Sequence, residues 1–232
     1  MLENRSTQAE IMDDLSCEGE VVSQTLRELN TINRFLGGNH LSIQGLEELT
    51  KGKENQIFTV ADLGCGGGDI LIKMAKWARK KGIDMQFVGV DANPYITDYA
   101  QARCKDYPEI SFQTLNVFES AFTQQQFDII HSSLFTHHFD DQALTQLVAQ
   151  FGRQARVGWI INDLHRHWLA YYSIMVLTRI FSRSKMVQFD SVVSVARGFK
   201  RKDWVQLFHQ LQLNPTSIRW KWAFRWKIVY AI

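Results

Sequence analysis

The segment that most constrains the fold runs from Thr59 to Ile70, where an apolar stretch leads into closely spaced glycines. Its sequence, TVADLGCGGGDI, predicts a buried strand that ends in a tight turn and opens a helix. Glycine has no Cβ and tolerates positive φ, so a ligand can approach the backbone of such a turn closely. The free N–H groups at the start of the helix favour an anionic or polar ligand. The segment therefore predicts a nucleotide-like cofactor.

The spacing of the glycines narrows the kind of cofactor. A dinucleotide-binding turn has the pattern G-x-G-x-x-G/A, but the third position counted from Gly64 is Asp69, whose charge would lie where a pyrophosphate binds. A P-loop is excluded because no Gly-Lys-Ser/Thr follows the glycines. Asp62, two positions before Gly64, instead suits a cationic or hydroxyl-rich ligand.

Beyond this turn the chain alternates predicted strands and helices, which is typical of a parallel sheet with crossover helices. Strands are expected at 57–63, 85–90, 110–115, 127–132 and 157–162, and a closing antiparallel pair at 217–222 and 224–231. Helices are expected at 8–36, 42–50, 70–81, 96–106, 141–153 and 202–211. The first fifty-two residues are too few for a separate core, so a helical cap over 1–52 is expected to pack on one domain spanning 1–232.

The turn Asp62-x-Gly64-x-Gly66-x-Gly68 resembles motif I of the class I methyltransferases that use S-adenosylmethionine. The stretch 131–140, HSSLFTHHFD, is similar to that of small-molecule methyltransferases related to ubiquinone and menaquinone biosynthesis. The resemblance implies a Rossmann-like α/β fold with a seven-stranded sheet in the order 3-2-1-4-5-7-6, the last strand antiparallel. It also implies S-adenosylmethionine as cofactor and S-adenosylhomocysteine as product.

The resemblance assigns most of the cofactor site. Asp91, at the end of the second strand, is expected to bind both ribose hydroxyls, although a helix N-cap or turn role would also explain it. Asn116 is expected to bind the adenine amino group or else to form a local turn. The expected cofactor-binding residues are Asp62, Gly64, Cys65, Gly66, Gly68, Asp91, Ala92, Asn116, Val117 and Ser132.

Residues 163–199 are an unusually long and aromatic insertion after the fifth strand, and a lid of one or two helices over the sheet edge is expected there. His165 and His167 are the candidate general bases, because the histidine pKa lies near neutrality; the alternative is that they anchor the loop. The expected substrate-contacting residues are His137, Trp168, Tyr171 and Tyr172. The aromatic side chains could instead pack only on neighbouring helices.

No metal is expected in the site. The neighbouring His137 and His138 cannot easily face one ion together, and no third ligand lies at metal-binding spacing in the sequence. Asn162 and Asp163 resemble the metal-binding pair of catechol-type enzymes, but no matching carboxylate ends the fourth strand.

Composition limits the partners. A net charge of +2 implies no general affinity for polyanions, and the Asn-Pro-Pro-Tyr motif of nucleic-acid methyltransferases is missing after the fourth strand, so no nucleic-acid partner is expected. Three scattered cysteines, no apolar leader and no membrane-length apolar run predict a cytoplasmic location. Peripheral contact of the basic, apolar insertion with a membrane is left open but not favoured. The oligomeric state is not indicated.

The sequence therefore predicts an enzyme that methylates a hydrophobic small molecule, at a phenolic or enolic oxygen of a polyketide- or quinone-type acceptor. The alternatives are carbon methylation of a quinol-like ring, and a catalytically silent S-adenosylmethionine-binding interaction module.

Overall fold

The computed structural model of the protein describes residues 2–53 and 55–232. Within these residues one seven-stranded sheet has the order β3-β2-β1-β4-β5-β7-β6, and β7 runs antiparallel to both of its neighbours. The strands are β1 Phe58–Leu63, β2 Met85–Asp91, β3 Ile110–Thr114, β4 Phe127–Ser133, β5 Ala155–Leu164, β6 Ser217–Lys221 and β7 Arg225–Ala231. The predicted fold class, strand order and antiparallel last strand are confirmed.

Helices cover both faces and the carboxyl edge of the sheet. They are α1 Glu20–Phe35, α2 Gly38–Thr50, α3 Asp69–Lys81, α4 Pro94–Arg103, α5 Ser120–Thr123, α6 Asp141–Gln154, α7 Trp168–Phe181, α8 Lys185–Arg197 and α9 Arg201–Gln210. Two 3₁₀ turns, Ile11–Asp13 and Thr136–His138, lie near the site. The short α5 and both 3₁₀ turns were not predicted, because such brief elements carry little periodicity.

The core lies in two layers on either side of the central strands. β1 is buried on both faces, as an apolar parallel strand should be, so that Ala61 and Leu63 pack in one layer and Val60 in the other. The first layer is closed by α6 and α9, the second by α2 and α3. This sandwich fixes the ends of β1, β2 and β4 at one edge of the sheet.

The N-terminal segment, residues 2–19, differs from the prediction. A helix was expected from residue 8, but α1 begins only at Glu20, after Gly19 with φ 82°. The carboxylate of Asp190 on α8 accepts hydrogen bonds from the backbone N–H groups of Ile11 and Met12, at 2.7 and 3.2 Å. These tertiary contacts replace helical hydrogen bonds and hold the segment across the sheet edge.

The insertion after β5 forms α7 and α8, which pack against each other, and α8 also contacts α1 and both 3₁₀ turns. Among the helices of the described residues, none combines the length and the apolar character needed to cross a membrane.

Candidate active site

A cavity of about 790 Å³ lies at the carboxyl edge of the sheet. Its volume is in the range of small-molecule sites, roughly 300–1,000 Å³. The walls come from the N-terminal segment, α1, the loops after β1, β2, β3 and β4, the helices α7 and α8, and the turn between β6 and β7. Of the expected cofactor residues, the cavity is lined by Asp62, Gly64, Cys65, Gly66, Asp91, Ala92, Asn116 and Val117.

The glycine turn after β1 forms the floor of the cavity. Gly64 and Gly66 have φ of 66° and 50°, a backbone region that side chains rarely adopt. A Cβ at Gly64 would lie 2.2 Å from the ring of Phe135, whereas a Cβ at Gly66 would meet nothing closer than Leu26, at 3.8 Å. Gly64 is therefore required by packing, and Gly66 leaves the backbone open to a ligand.

Asp91 is fixed at the end of β2. Its carboxylate accepts hydrogen bonds from the backbone N–H of Gly66 at 3.2 Å and of Asn93 at 3.1 Å. Burial raises the pKa of this carboxyl, and the two backbone donors oppose that rise. The cap of α4 is Asn93, whose side chain accepts from Tyr95 and Ile96, so the helix-cap alternative for Asp91 does not hold.

Asp62 presents a free carboxylate oxygen to the site. Its Oδ1 lies 2.6 Å from Nδ1 of His131, whose Nε2 lies 2.8 Å from the hydroxyl of Ser42. The other oxygen, Oδ2, is buried and has no hydrogen-bond partner in the described residues. An orphaned carboxylate oxygen in a cavity wall fits a ligand with an ammonium group, which S-adenosylmethionine has.

Three of the expected cofactor residues have a different position or contact. Ser132 is buried and does not line the cavity, while its neighbour Ser133 does, because successive side chains of a strand point to opposite faces. Gly68 caps α3 instead of lining the cavity, and a Cβ there would lie 2.9 Å from Sγ of Cys104. The side-chain oxygen of Asn116 accepts from the backbone N–H of Phe118 at 3.0 Å, which is the local turn.

His137 is buried between two carboxylates. Its Nδ1 lies 2.7 Å from Oδ1 of Asp163, and its Nε2 lies 3.4 Å from Oε1 of Glu10. Burial alone would lower the pKa of His137, but the charges of Asp163 and Glu10 outweigh it and raise that pKa to about 9. Burial would raise the pKa of the Asp163 carboxyl, but the imidazolium prevails and holds it below its usual range. His137 is therefore positively charged at neutral pH.

Glu10 completes this group from the N-terminal segment. Oε1 of Glu10 and Nε2 of His137 are buried 3.4 Å apart, and neither atom has another hydrogen-bond partner in the described residues. Both residues line the cavity. Burial would raise the pKa of Glu10, but His137 and His138 lower it overall. The three residues Asp163, His137 and Glu10, here called the acid–base chain, thus lead from the sheet edge to the cavity.

The acid–base chain was missed by the sequence analysis. His137 was placed near the site by the sequence analysis, since it was expected to contact substrate, and Asp163 was considered as a metal ligand without being paired with His137. Glu10 is 127 positions before His137 and lay in a segment predicted to be helical. No sequence signal joins the two.

The expectation that no third ligand accompanies the histidines needs correction. One ligand atom each from Glu10, His137 and His138 lie within 4.8 Å of one another. However, the two imidazole rings stack at 4.4 Å with an interplanar angle of 30°, so their in-plane lone pairs do not converge on one point. His138 Nδ1 also lies 2.5 Å from Oδ1 of Asp13. The geometry does not favour a shared ion, and the absence of a metal stays a prediction.

His165 and His167 do not line the cavity. Nδ1 of His165 accepts a hydrogen bond from Nε1 of Trp220 at 3.0 Å. The rings of His165 and His167 both stack on Phe224, which does line the cavity. Burial and then the nearby cationic groups lower the pKa of His165 to about 4. Its position and weak basicity both argue against the expected catalytic role.

The aromatic side chains of α7 are also not where they were expected. Trp168, Tyr171 and Tyr172 do not line the cavity; Tyr171 packs in a small cluster with α8, and the other two are exposed. The face of α7 toward the cavity consists instead of Ala170, Ser173, Ile174 and Leu177, which recur at helical spacing.

Arg225 is a buried cation in the cavity wall that no sequence signal indicated. Its guanidinium donates to Oδ1 of Asn33 at 2.8 Å, while its Nε has no partner in the described residues. Burial lowers its pKa to about 10, against the attraction of Asp163. The side chain remains charged at neutral pH.

Comparison with known proteins agrees with this geometry. Residues 60–158 match the family described as "Methyltransferase domain", which spans the glycine turn, Asp91 and His137. No curated protein matches the chain significantly.

Solved structures share the fold at low sequence identity. Magnesium protoporphyrin IX methyltransferase from Synechocystis PCC 6803, with bound S-adenosylhomocysteine, has a TM-score of 0.55 at 14% identity, over 85% of this chain and 84% of that chain. The plantazolicin methyltransferase BpumL, in complex with a pentazolic desmethylPZN analogue and S-adenosylhomocysteine, has a TM-score of 0.60 at 16% identity, over 83% of this chain and 68% of that chain. The CurJ carbon methyltransferase has a TM-score of 0.60 at 13% identity, over 84% of this chain and 53% of that chain. Residues 60–158 therefore match a methyltransferase domain, and the chain has the fold of these solved methyltransferases.

Proposed function

We propose that the protein transfers the methyl group of S-adenosylmethionine to an oxygen atom of a hydrophobic, phenol-like small molecule. The observation that carries this proposal is the acid–base chain, whose paired Glu10 and His137 line the same cavity as Asp62, Asp91 and the glycine turn. The solved neighbours include a carbon methyltransferase, so the fold does not by itself decide between oxygen and carbon.

The cofactor would be held by groups that already point into the cavity. Asp91 would accept hydrogen bonds from the ribose hydroxyls, and the free oxygen of Asp62 would accept one from the ammonium group. Gly66 would let the ligand approach the backbone. When bound, S-adenosylmethionine supplies a methyl group on a positively charged sulfur, which is intrinsically electrophilic. The residues then have to position the acceptor and remove its proton.

The remaining wall suits an apolar acceptor. Leu26, Leu29 and Ile32 of α1 line the cavity together with Ile174 and Leu177 of α7. The cationic Arg225 also lines it and would bind a carbonyl or phenolate oxygen of the acceptor. These contacts favour a flat, largely apolar molecule with a few oxygen atoms.

The proton of the acceptor hydroxyl would pass to the acid–base chain. The acceptor oxygen would gain the methyl group and lose its hydroxyl proton, and the carboxylate of Glu10 would accept that proton, because His137 already carries both of its ring protons. Asp163 keeps the imidazole in place. The positive charge of His137 also stabilises the developing negative charge on the acceptor oxygen.

Glu10→Gln tests this role, since it removes the proton acceptor and keeps the size of the side chain. We expect kcat to fall about 100-fold with a lipophilic phenol and the affinity for S-adenosylmethionine to stay unchanged. The matched control is Glu18→Gln, an exposed glutamate of the same segment that does not line the cavity. Turnover is followed with methyl-labelled cofactor, and the affinity by titration calorimetry.

Three outcomes would contradict the proposal. Unchanged kcat in Glu10→Gln removes the acid–base chain from the reaction. A label found on ring carbon establishes carbon methylation. Cofactor binding without turnover on any member of a phenol and quinol panel indicates a silent binding module.

A further inference from the structure

Helix α7 presents its apolar side chains outward. It buries only Ala170, Ile174 and Thr178 among its described residues, although most of its other side chains are apolar too. The exposed ones, here called the α7 surface, are Trp168, Leu169, Tyr172, Val176, Leu177, Ile180 and Phe181, between 42% and 78% exposed. A surface helix of a globular protein normally turns polar residues outward. A contiguous apolar patch of this kind marks an interaction site.

The charge around the α7 surface has one sign. From Trp168 to Phe189 the sequence contains Arg179, Arg183 and Lys185 and no acidic residue. All three cations are exposed, and none makes a salt bridge to the part of the chain that the structure describes. The nearby Glu28 is engaged with the hydroxyl of Ser182 and the backbone N–H of Arg183. The surface therefore fits an apolar partner with negative charge at its boundary.

The α7 surface is continuous with the mouth of the cavity. Leu177 belongs to both, and Trp222, which is 73% exposed, lines the cavity from the β6–β7 turn. Phe35, 84% exposed, lies next to Leu36, another lining residue. Exposed apolar side chains thus lie on α7 and on two other segments that contribute to the cavity wall.

We propose that the α7 surface docks on an anionic lipid bilayer, with α7 lying in the headgroup region and the cavity mouth facing the membrane. Leucine, isoleucine and phenylalanine would enter the acyl boundary, tryptophan and tyrosine would lie at the interface, and the cations would bind anionic headgroups. A second copy of the chain fits less well, because a symmetric contact through α7 would bring two sets of unpaired cations together. The sequence left membrane contact unfavoured because it could not show that this helix face is unpacked.

Docking does not depend on the acceptor proposed above, so the two can fail separately. The test is co-sedimentation of the full chain with vesicles of phosphatidylcholine alone, or with about one third phosphatidylglycerol. We expect binding to the anionic vesicles that weakens steeply with salt. The double variant I180E/F181E should lower the bound fraction on the order of tenfold, since two carboxylates would enter the interface. Neither residue lines the cavity.

The control is Val205→Glu, which adds a carboxylate at an exposed apolar position of α9 and should bind vesicles like the wild type. Circular dichroism and cofactor affinity show that each variant is folded. Should I180E/F181E fail to fold, the triple variant R179Q/R183Q/K185Q replaces it and should lose the preference for anionic vesicles. Equal binding of the wild type to both vesicles, no binding to either, or wild-type binding by the variants would overturn the proposal. A dimer that the variants dissociate, without vesicle binding, would assign the α7 surface to a second copy.

Discussion

At the scale of single residues, the charge of His137 is set by its two carboxylate neighbours. A buried imidazole would normally be neutral, yet the ion pairs with Asp163 and Glu10 keep it protonated well above neutral pH. Asp163 also accepts hydrogen bonds from the hydroxyl of Thr136 and the backbone N–H of His137. The carboxylate of Asp163 therefore both orients the imidazole of His137 and keeps it positively charged.

The raised pKa of His137 predicts a pH dependence of folding stability. Its value is about 9 in the folded chain against 6.5 for an ordinary histidine, so the ion pair contributes fully below about pH 6.5. That contribution, on the order of 3 kcal/mol, is lost as the pH rises toward 9. Denaturant unfolding at several pH values measures it. The exposed His209→Asn should keep the decline and His137→Asn should remove it; a wild-type stability independent of pH between 6.5 and 9 would refute the charge state.

His165 and His137 show why a general base could not be chosen from the sequence. Both residues follow the end of a strand, and the pKa of an ordinary histidine side chain lies near neutrality in an unfolded chain. Their chemistry in the fold depends on partners far along the chain: Trp220 for the first, Glu10 and Asp163 for the second. Strand ends can be placed from local patterns, but these side-chain partners cannot.

At the scale of elements, the N-terminal segment is a wall of the cavity, and one arginine connects it to the turn after β4. Arg197 of α8 is buried, and its guanidinium donates to the carbonyl oxygens of Gln8, His137 and His138 and to the carboxylate of Asp13. The fork geometry of arginine allows all four bonds at once, which a lysine cannot do. Arg197 therefore ties the segment to the turn that carries His137.

Arg197→Lys should loosen this segment while the sheet stays folded. Amide hydrogen exchange over residues 6–18 should accelerate on the order of tenfold, because local opening no longer has to break the hydrogen bonds of the guanidinium group. Exchange in β1 and β4 should not change. Arg156→Lys, at an exposed arginine with one long contact of 3.5 Å to Asp128, is the matched control. Protection equal to the wild type in residues 6–18 would show that the hydrogen bonds of Arg197 do not limit the opening of this segment.

At the scale of the whole molecule, ligand binding should stabilise the complete fold. The cavity wall draws residues from Glu10 to Arg225, so a bound cofactor links the N-terminal segment, the sheet and α7. At a concentration 100-fold above Kd, S-adenosylhomocysteine should add about 2.7 kcal/mol and raise Tm by about 5–10 °C. Asp91→Asn should reduce the shift, whereas Asp98→Asn, exposed on α4, should not. An unchanged Tm in the wild type would reject the cofactor site.

The sheet and the glycine turn after β1 were predictable because their signals are local. Strand–helix alternation and the glycine spacing each lie within a few tens of residues, and every predicted strand agrees with the structure within two residues at each end. The rest of the site could not be predicted, because contacts between distant parts of the chain determine its position. This applies to Glu10, α1, Arg225 and the outward face of α7. Phe35 illustrates this: it follows Leu29 and Ile32 at three-residue steps in the sequence, yet it is exposed.

The position of β7 has a consequence for the order in which the protein is made. β7 is the last strand along the chain but lies between β5 and β6, and the residues just before it and at its start, Phe224 and Arg225, line the cavity. When the chain has left the ribosome only as far as β6, the sheet therefore has an unfilled place beside β5 and the cavity lacks part of its wall. The complete cavity can therefore form only after this strand has been inserted, even when the glycine turn and Asp91 are already in place.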